Sequence, residues 1–270
     1  MILCYHSVSQ QPIPQSSDQH KLHLASDLFT SHLDYLQRHN HVISLSEYLR
    51  ARREGRRLPN KTAILTFDDG CRNFKTVAAP LLTERGLPAM SFIIIEKAEG
   101  NSNGNQSWTP SDDHEYLSWA EVQALGQGGL FEFGSHSYSH PRLTAIPLEE
   151  VERELKDSYA AIVERLGYEA PALAYPHGRT TEEISRLAHS LGYACALTGG
   201  PGTNDMETDL HNLQRIIIAR DDDVPAFAAR VSGLTCWFDQ VRAFLKPAAA
   251  KVSGQSVPRP QSSVLDQSDL

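Results

Sequence analysis

Two short polar motifs constrain this chain most strongly, because together they supply the donor atoms of a metal site. The first, Leu65-Thr66-Phe67-Asp68-Asp69-Gly70, ends an apolar run in two adjacent carboxylates and a glycine. The second, His136-Ser137-Tyr138-Ser139-His140, places two imidazoles four residues apart. One carboxylate and two imidazoles make a three-ligand site with a free coordination position, which is typical of catalytic zinc. The other carboxylate is then free to act as a base on water, so the two motifs predict a hydrolase.

Short apolar segments alternate with amphipathic segments along the chain, and this alternation predicts a parallel sheet covered by helices. The predicted strands are Met1–Tyr5, Thr62–Phe67, Ala89–Ile95, Leu130–Phe133, Ala172–Tyr175, Ala194–Leu197 and Arg215–Ile218. The predicted helices are Asp27–His39, Ser44 to about Arg53, Phe74–Arg85, Trp119–Leu125, Leu148–Leu166 and Thr181–Leu191. With about seven strands in one chain of 270 residues, we expect an α/β barrel rather than an open sheet.

Three stretches interrupt this alternation of predicted strands and helices. Glu96–Tyr116 and Gly199–Asn212 are polar and predict long surface loops. Residues 247–270 are rich in Pro, Ser and Gln, which predicts a disordered tail after a single catalytic domain at residues 1–246. Apolar side chains at helical spacing within residues 234–245 predict one further helix packed on the barrel.

Two other segments carry candidate catalytic groups after predicted strands. His6 ends the first strand, and its imidazole is a candidate general acid because it titrates near neutral pH, although a single histidine is more often structural. Tyr175-Pro176-His177-Gly178 follows a later strand. A Pro–Gly turn at that point can present a backbone N–H to an oxyanion, and an ordinary strand-to-helix turn fits the same residues equally well.

Composition gives further expectations about partners and compartment. The formal net charge of −8 argues only weakly against nucleic acid and anionic lipid, because a solvated acidic surface is the commoner reason for such a charge. The four cysteines form no C-x-x-C pair, so neither a structural zinc site nor a disulfide framework is indicated. No run approaches the roughly 18 apolar residues of a membrane span. No basic start leads into an apolar leader, so we expect a cytoplasmic protein, although a secreted protein trimmed of its leader would look the same.

At these motifs the chain resembles the polysaccharide deacetylase superfamily, carbohydrate esterase family four. Thr66–Gly70 is similar to the T-F-D-D-G motif of that family, and His136–His140 is similar to its H-S-x-x-H motif. The resemblance covers about residues 1–220. It implies a single-domain distorted (β/α) barrel that hydrolyses N-acetyl groups on sugars. It also implies that Asp68 is the general base, and that a divalent metal is held by Asp69, His136 and His140. Zinc is the expected metal, and cobalt or nickel also suits two imidazoles and a carboxylate.

The chain departs from the usual family pattern in two places. The arginine that orients the base is absent from Pro171-Ala172-Leu173-Ala174, and the late Leu-x-His reads Leu213-Gln214-Arg215. Both gaps are expected in the circularly permuted branch that resembles poly-N-acetylglucosamine deacetylases. That branch takes its catalytic histidine from an N-terminal Tyr-His-x-Val, which implies that His6 is the acid here. The partner that orients the base stays open among Arg142, Arg179 and Arg215.

The resemblance also points to the substrate side of the site. Pro176-His177-Gly178 stands where the family has Pro-Tyr-Gly, which implies that the amide of His177 helps to bind the oxyanion. The predicted substrate contacts are Tyr175, Pro176 and Arg142. An N-acetylated carbohydrate is the expected substrate. Two alternatives are an amidase of the same fold acting on a cyclic imide, ureide or small acylated metabolite, and an inactive carbohydrate-binding homologue. Nothing in the sequence predicts the oligomeric state.

Overall fold

The structure is a computed structural model that describes residues 1–10, 22–100, 116–200 and 202–232. The strands are β1 Ile2–Tyr5, β2 Ser7–Ser9, β3 His23–Ala25, β4 His41–Val42, β5 Thr62–Phe67, β6 Ala89–Ile93, β7 Phe131–Ser135, β8 Ala172–Ala174, β9 Cys195–Leu197 and β10 Ile216–Ile217. The α-helices are α1 Ser26–His39, α2 Leu45–Arg53, α3 Ala79–Glu84, α4 Ile95–Ala98, α5 Trp119–Gly126, α6 Leu148–Leu166, α7 Glu182–Ser190 and α8 Val224–Val231. Shorter helical turns lie at Phe74–Ala78, Leu143–Ala145, Pro176–Gly178 and Leu210–Asn212.

Eight parallel strands form one curled sheet in the order β10-β1-β5-β6-β7-β8-β9, with β4 added against β5. A parallel bridge between Leu197 and Leu213 joins β9 to the segment that leads into β10, so the sheet curls back toward β1. β2 and β3 form a separate parallel pair. The predicted distorted (β/α) barrel is therefore confirmed, and all seven predicted strands are present. The short strands β2, β3 and β4, of two or three residues each, were not predicted.

Alternate residues of the strands pack into two different hydrophobic clusters. Leu3 and Leu65 pack with apolar residues of α1, α3, α5 and α6, on the outside of the sheet. Ile2 and Ile64 instead pack with residues of β6, β8 and β9, and strands so far apart in the sheet order can meet only inside the barrel. Because successive side chains of a strand point to opposite faces, the same alternation sends Cys4 and His6 toward the interior.

Each helix buries one stripe of apolar side chains against this sheet, as the helical spacing of apolar residues in the sequence predicts. In α1 the buried side chains include Phe29, Leu33 and Leu36. In α6 they include Val151, Leu155 and Ile162. Truncating a fully buried side chain such as Phe29 to Ala is expected to destabilise the fold by about 3–5 kcal/mol. No helix in the described ranges has both the length and the apolar character that crossing a membrane requires.

Several element boundaries differ from the sequence predictions. The helix predicted at Phe74–Arg85 begins with a π-helical turn at Phe74–Ala78 before α3. Pro80 has no N–H to donate to the preceding turn, which explains a change of helical register there. The loop predicted at Glu96–Tyr116 overlaps α4, and α8 was not predicted. The helix predicted within residues 234–245 and the tail at 247–270 lie outside the described residues.

Candidate metal centre and active site

The carboxylate and the two imidazoles of the sequence motifs converge at the carboxyl ends of β5 and β7. Oδ1 of Asp69 lies 3.6 Å from Nε2 of His136 and 3.6 Å from Nε2 of His140. One ligand atom from each of the three residues lies within 4.8 Å of the other two. Catalytic residues of (β/α) barrels gather at this end of the strands. The structure thus brings together the three residues that the family resemblance implies as metal ligands.

The spacing of these donor atoms fits a divalent metal. Ligand atoms bonded to tetrahedral zinc at about 2.1 Å lie about 3.4 Å from one another. The two 3.6 Å separations at Asp69 need only a small adjustment to reach that value. His140 and Asp69 each keep a quarter of their side-chain surface exposed, which leaves one side of the set open for water and substrate. Two imidazoles and one carboxylate are a donor set that suits zinc, cobalt and nickel.

The backbone around these ligands is held in an unusual conformation. Among the described residues, five that are not glycine have positive φ, and four of them lie at this site: Asp69 (70°), Ser137 (62°), His140 (65°) and His177 (57°). The left-handed conformation costs an ordinary residue about 1–2 kcal/mol. Such strain tends to collect where surrounding structure fixes functional groups. Gly70 continues the turn at φ +68°, and a Cβ there would lie 3.0 Å from a side-chain carbon of Ile93.

A hydrogen bond orients the imidazole of His136 for ligation, and burial keeps the imidazole of His140 neutral. Nδ1 of His136 donates to the backbone oxygen of Ala174 at 2.8 Å, which leaves the Nε2 lone pair facing Asp69. His136 is buried, with 2% of its surface exposed. Burial, followed by the nearby His136, lowers the pKa of His140 to about 4, so its ring is neutral at neutral pH. A neutral imidazole is the form that binds a metal.

The histidine loop is clamped by Glu154 of α6, a residue that the sequence motifs did not single out. One carboxylate oxygen accepts from the amides of Tyr138 and Ser139 at 2.9 and 2.8 Å. The other accepts from the Ser139 hydroxyl at 2.6 Å. Because these two residues lie between the histidine ligands, Glu154 fixes the backbone that carries His140.

The second carboxylate, Asp68, is held by Arg215. Nη1 and Nη2 of Arg215 donate to the two carboxylate oxygens of Asp68 at 2.6 and 2.7 Å. Nε of the same guanidinium donates to the backbone oxygen of Thr198 at 2.8 Å. Arg215 and Asp68 are 1% and 4% exposed, respectively, whereas Arg142 and Arg179 are exposed. Of the three arginines that the sequence left open, the structure thus pairs Arg215 with Asp68.

Arg215 also keeps Asp68 ionised. Burial by itself would raise the pKa of Asp68, but the charge of Arg215, followed by that of His136, holds it well below its usual range. Oδ2 of Asp68 lies 3.8 Å from Nε2 of His136, on the side that faces the ligand set. Asp68 is therefore a fixed, negatively charged acceptor beside the three convergent donors.

His6 reaches the same end of the barrel from the N-terminal strand. The amide of Asp68 donates to the backbone oxygen of Tyr5 at 3.0 Å, so the ends of β1 and β5 are in contact. Ligand atoms of Cys4, His6 and Asp68 lie within 4.8 Å of one another. Nδ1 of His6 is buried without a hydrogen-bond partner among the described residues. The structure therefore places His6 beside Asp68, where the proposed acid has to be, while its role in catalysis stays a prediction.

The turn after β8 brings His177 to the rim of the site. Its exposed ring lies with its centroid 4.8 Å from that of His140. Partial burial, followed by the charge of Arg142, lowers the pKa of His177, which places that guanidinium near the same rim. Gly178 closes the turn at φ +65°, and a Cβ there would lie 2.5 Å from the backbone of Gly199. A residue larger than glycine therefore cannot fit at this point.

Two predicted substrate contacts are corrected by the structure. Tyr175 is fully buried, and its hydroxyl donates to the backbone oxygen of His211 at 3.0 Å. Burial raises the pKa of Tyr175 to about 12, so the hydroxyl stays protonated as a donor. Pro176 is buried as well and shapes the turn. The prediction that these two side chains contact substrate is therefore wrong, because both are enclosed by the core.

Comparison with known proteins agrees with this geometry. The sequence model of one family, described as polysaccharide deacetylase, matches residues 55–196. The chain belongs to the polysaccharide deacetylase family. The predicted resemblance is thereby confirmed. The matched range contains Asp68, Asp69, His136 and His140, whereas His6 and Arg215 lie outside it, on or next to the paired strands β1 and β10.

Three similar proteins match different shares of this chain. YxkH of Bacillus subtilis is 23% identical over 234 residues, which span 86% of this chain and 76% of that protein. A poly-beta-1,6-N-acetyl-D-glucosamine N-deacetylase of Staphylococcus epidermidis is 20% identical over 202 residues, 72% of this chain and 67% of that enzyme. The solved structure of the Streptococcus pyogenes deacetylase PplD in complex with acetate superposes with a TM-score of 0.73 at 24% identity. That match covers 85% of this chain and 96% of PplD, so the two proteins share a fold.

Proposed function

We propose that this polysaccharide deacetylase is a metal-dependent hydrolase that removes N-acetyl groups from an amino sugar or from its oligo- or polysaccharide. One observation carries the proposal: Asp69, His136 and His140 converge beside a buried, ionised Asp68. Three metal donors with an adjacent proton acceptor are the parts that metal-assisted hydrolysis of an amide requires. The similar enzyme of S. epidermidis, named for N-deacetylation of a polymer of N-acetylglucosamine, supports an N-acetylated carbohydrate as the substrate class.

A zinc, cobalt or nickel ion on Asp69, His136 and His140 would act as a Lewis acid that polarises the amide carbonyl and makes water more acidic. Asp68 accepts the proton of the attacking water, and Oδ2 is the oxygen nearer to His136. The bidentate bond from Arg215 fixes the plane of this carboxylate and also makes it a weak base. Proton transfer to Asp68 therefore depends on water that is already acidified.

His6 donates a proton to the departing nitrogen, so that one water and one amide give an amine and acetate. Its position beside Asp68 and its unpartnered Nδ1 support this role. The backbone amide of His177 stabilises the oxyanion, since the turn sets this residue next to His140 at the rim. The exposed guanidinium of Arg142 lies near the same rim and contacts the sugar.

Acetate release tests the proposal directly. The zinc-loaded protein is expected to release acetate from N-acetylglucosamine oligomers, and the chelated protein is expected to release none. His136→Ala should lose both metal and activity, whereas His39→Ala on the surface of α1 should keep both, because His39 is exposed and remote from the ligands. Parallel assays with monomeric N-acetyl sugar conjugates, cyclic imides and ureides give the substrate class. Turnover of imides or ureides alone would mean that the substrate is a small metabolite and not a sugar. Metal binding without any turnover would indicate a carbohydrate-binding homologue.

A further inference from the structure

A second group of metal-ligating atoms lies beside the metal centre, on the proposed acid and base themselves. β1 directs Cys4 and His6 to the barrel interior, and the end of β5 brings Asp68 against them. The Cys4 thiol donates a hydrogen bond to Oδ2 of Asp68, with Sγ 3.5 Å from that oxygen. Ligand atoms of Cys4, His6 and Asp68 all lie within 4.8 Å of one another. This group, which we name the Cys4 cluster, shares no residue with the set formed by Asp69, His136 and His140.

The Cys4 cluster has the chemistry of a transition-metal site. A thiolate and a carboxylate bonded to tetrahedral zinc at about 2.3 and 2.0 Å lie about 3.5 Å apart. The observed 3.5 Å between Sγ and Oδ2 matches that spacing. His6 supplies one ring nitrogen to the cluster, and its Nδ1 is buried with no hydrogen-bond partner among the described residues. Because His6 is only partly buried while Cys4 and Asp68 are buried, an ion would reach the cluster past the His6 ring.

We propose that Cys4, His6 and Asp68 form a second, inhibitory site for a thiophilic divalent cation such as Zn²⁺, Co²⁺ or Cd²⁺. Thiolate and imidazole ligands select such ions over Mg²⁺ and Ca²⁺. Binding replaces the thiol proton of Cys4, which is released to solvent, by a metal–sulfur bond.

The site is weaker than the one formed by Asp69, His136 and His140. Arg215 donates to both oxygens of Asp68, so its positive charge opposes a second cation at the Cys4 cluster. The ion also has to share Oδ2 of Asp68 with Nη2 of Arg215. The first equivalent of metal is therefore expected to fill the set at Asp69, and only excess metal fills the Cys4 cluster.

Occupancy of the Cys4 cluster blocks the chemistry proposed above. The ion would take the His6 nitrogen and the Asp68 oxygen that serve as acid and base, so hydrolysis stops while the first metal stays in place. This consequence rests on the proposed function, whereas metal binding to the cluster does not. Activation at low zinc and inhibition at higher zinc is the kinetic pattern that we expect.

Cobalt absorption tests the site without any assay of activity. Titration of the metal-free protein with Co²⁺ should give a first equivalent without sulfur ligation and a second equivalent with a thiolate-to-cobalt charge-transfer band. Cys4→Ser and Cys4→Ala should lose that band and the second equivalent. Cys71→Ser is the matched control, because Cys71 directly follows the Thr66–Gly70 motif but lies outside the cluster, and it should keep both.

Three results would overturn the proposal: binding of one equivalent only, a second equivalent without a sulfur band, or a band removed by Cys71→Ser rather than by Cys4→Ser. Zinc-edge X-ray absorption on the unmodified protein with two equivalents gives the same answer even where a variant fails to fold. A sulfur neighbour at about 2.3 Å is expected.

The inhibition is tested by acetate release, and the rate of each protein in excess zinc is compared with the maximum rate of the same protein at one equivalent of zinc. Excess zinc should inhibit the parent at least tenfold more than Cys4→Ser. Absence of turnover on every substrate would count against the proposed function and would leave the spectroscopic result standing.

Discussion

Arg215 and Asp68 are 147 residues apart in the sequence and form a bidentate pair in the interior of the barrel, with N–O distances of 2.6 and 2.7 Å. The guanidinium also lies over the ring of Phe92, with its central carbon 5.7 Å from the ring centroid. Both charges are removed from water, so each depends on the other for compensation. The pair has two consequences, one for stability and one for the basicity of Asp68.

Arg215→Lys is expected to destabilise the protein and to shift the pH dependence of hydrolysis. Lys cannot reproduce the two parallel hydrogen bonds, and breaking a buried ion pair costs about 3–5 kcal/mol when a partner is lost outright. The pKa of Asp68 should rise toward its usual value, so the acidic limb of the kcat/KM profile should move to higher pH. Thermal unfolding and a pH–rate profile check the two effects. Arg142→Lys, at an exposed position, serves as the control and should change stability by less than about 0.5 kcal/mol. An unchanged acidic limb in Arg215→Lys would mean that another group sets it.

Glu154→Ala should weaken metal binding although Glu154 is not a ligand. Its carboxylate accepts from two amides between His136 and His140, and loss of these bonds frees the loop that carries His140. Removal of an orienting partner typically lowers metal affinity by about 10–100-fold. Glu154→Gln keeps one carbonyl acceptor and should restore part of the affinity. The exposed Glu152 on the same helix supplies the control Glu152→Ala, measured in the same competition against a zinc chelator. Equal zinc affinity in the Glu154→Ala and Glu152→Ala proteins would show that Glu154 does not contribute to metal binding.

Hydrolysis should depend on Asp68 separately from metal content. Asp68→Asn removes the charge that accepts the proton and nearly preserves the shape of the side chain. Activity is expected to fall about a hundredfold or more, the usual contribution of a general base. Zinc content should stay at one equivalent on the set at Asp69, measured by elemental analysis of the same sample. Retention of activity within a few-fold of the parent would assign the base to another residue.

Stability of the metal-free protein should decrease as pH falls from about 6.5 to about 4. Burial lowers the pKa of His140 to about 4 in the folded protein, so between these values the unfolded chain binds a proton that the folded chain does not. The contribution of His140 is complete above pH about 6.5 and is lost below it, with a slope of at most about 1.4 kcal/mol per pH unit. His140→Gln should reduce this slope in denaturant unfolding measured across the range. An identical slope in both proteins would show that other histidines cause it.

The main features of the barrel could be predicted from the sequence because they depend on local pattern. Apolar runs such as Thr62–Phe67 are long enough to be recognised as buried strands, and a polar group at the end of such a run falls on the catalytic edge. The period of two in Ile2, Cys4 and His6 is also a local signal. It places Cys4 and His6 on one face of β1, and the register of β1 against β5 then brings that face to Thr66 and Asp68. The register itself is a contact between distant segments and does not follow from the local pattern.

The missed features depend on contacts between distant segments. Arg215 could not be ranked above Arg142 or Arg179, because pairing with Asp68 follows from the position of β10 beside β1. Glu154 lies three residues after Val151 and four before Ser158, so the helical period places it beside the buried stripe of α6. The period does not say which distant segment that side of the helix meets, and the histidine loop is known only from the packing. The sequence predicts Tyr175 as a substrate contact, whereas in the structure its ring is buried and its hydroxyl donates to the backbone oxygen of His211, a residue 36 positions away.

His6→Ala should lower kcat while metal content is retained, and the loss should be greatest for substrates with the most basic leaving amine. An acid stabilises the transition state by protonating the departing nitrogen, so a poor leaving group depends on it most. The structure supports the geometry of this step, since His6 lies beside Asp68 and carries a buried Nδ1 with no partner among the described residues. The measurement is kcat for a series of N-acetyl compounds of graded amine basicity, with zinc bound to one equivalent in every sample. A steeper dependence on amine basicity in His6→Ala than in the parent is the expected result. Parallel lines for the two proteins would give His6 a structural role and leave the acid to be sought among the exposed groups at the rim, with His177 first.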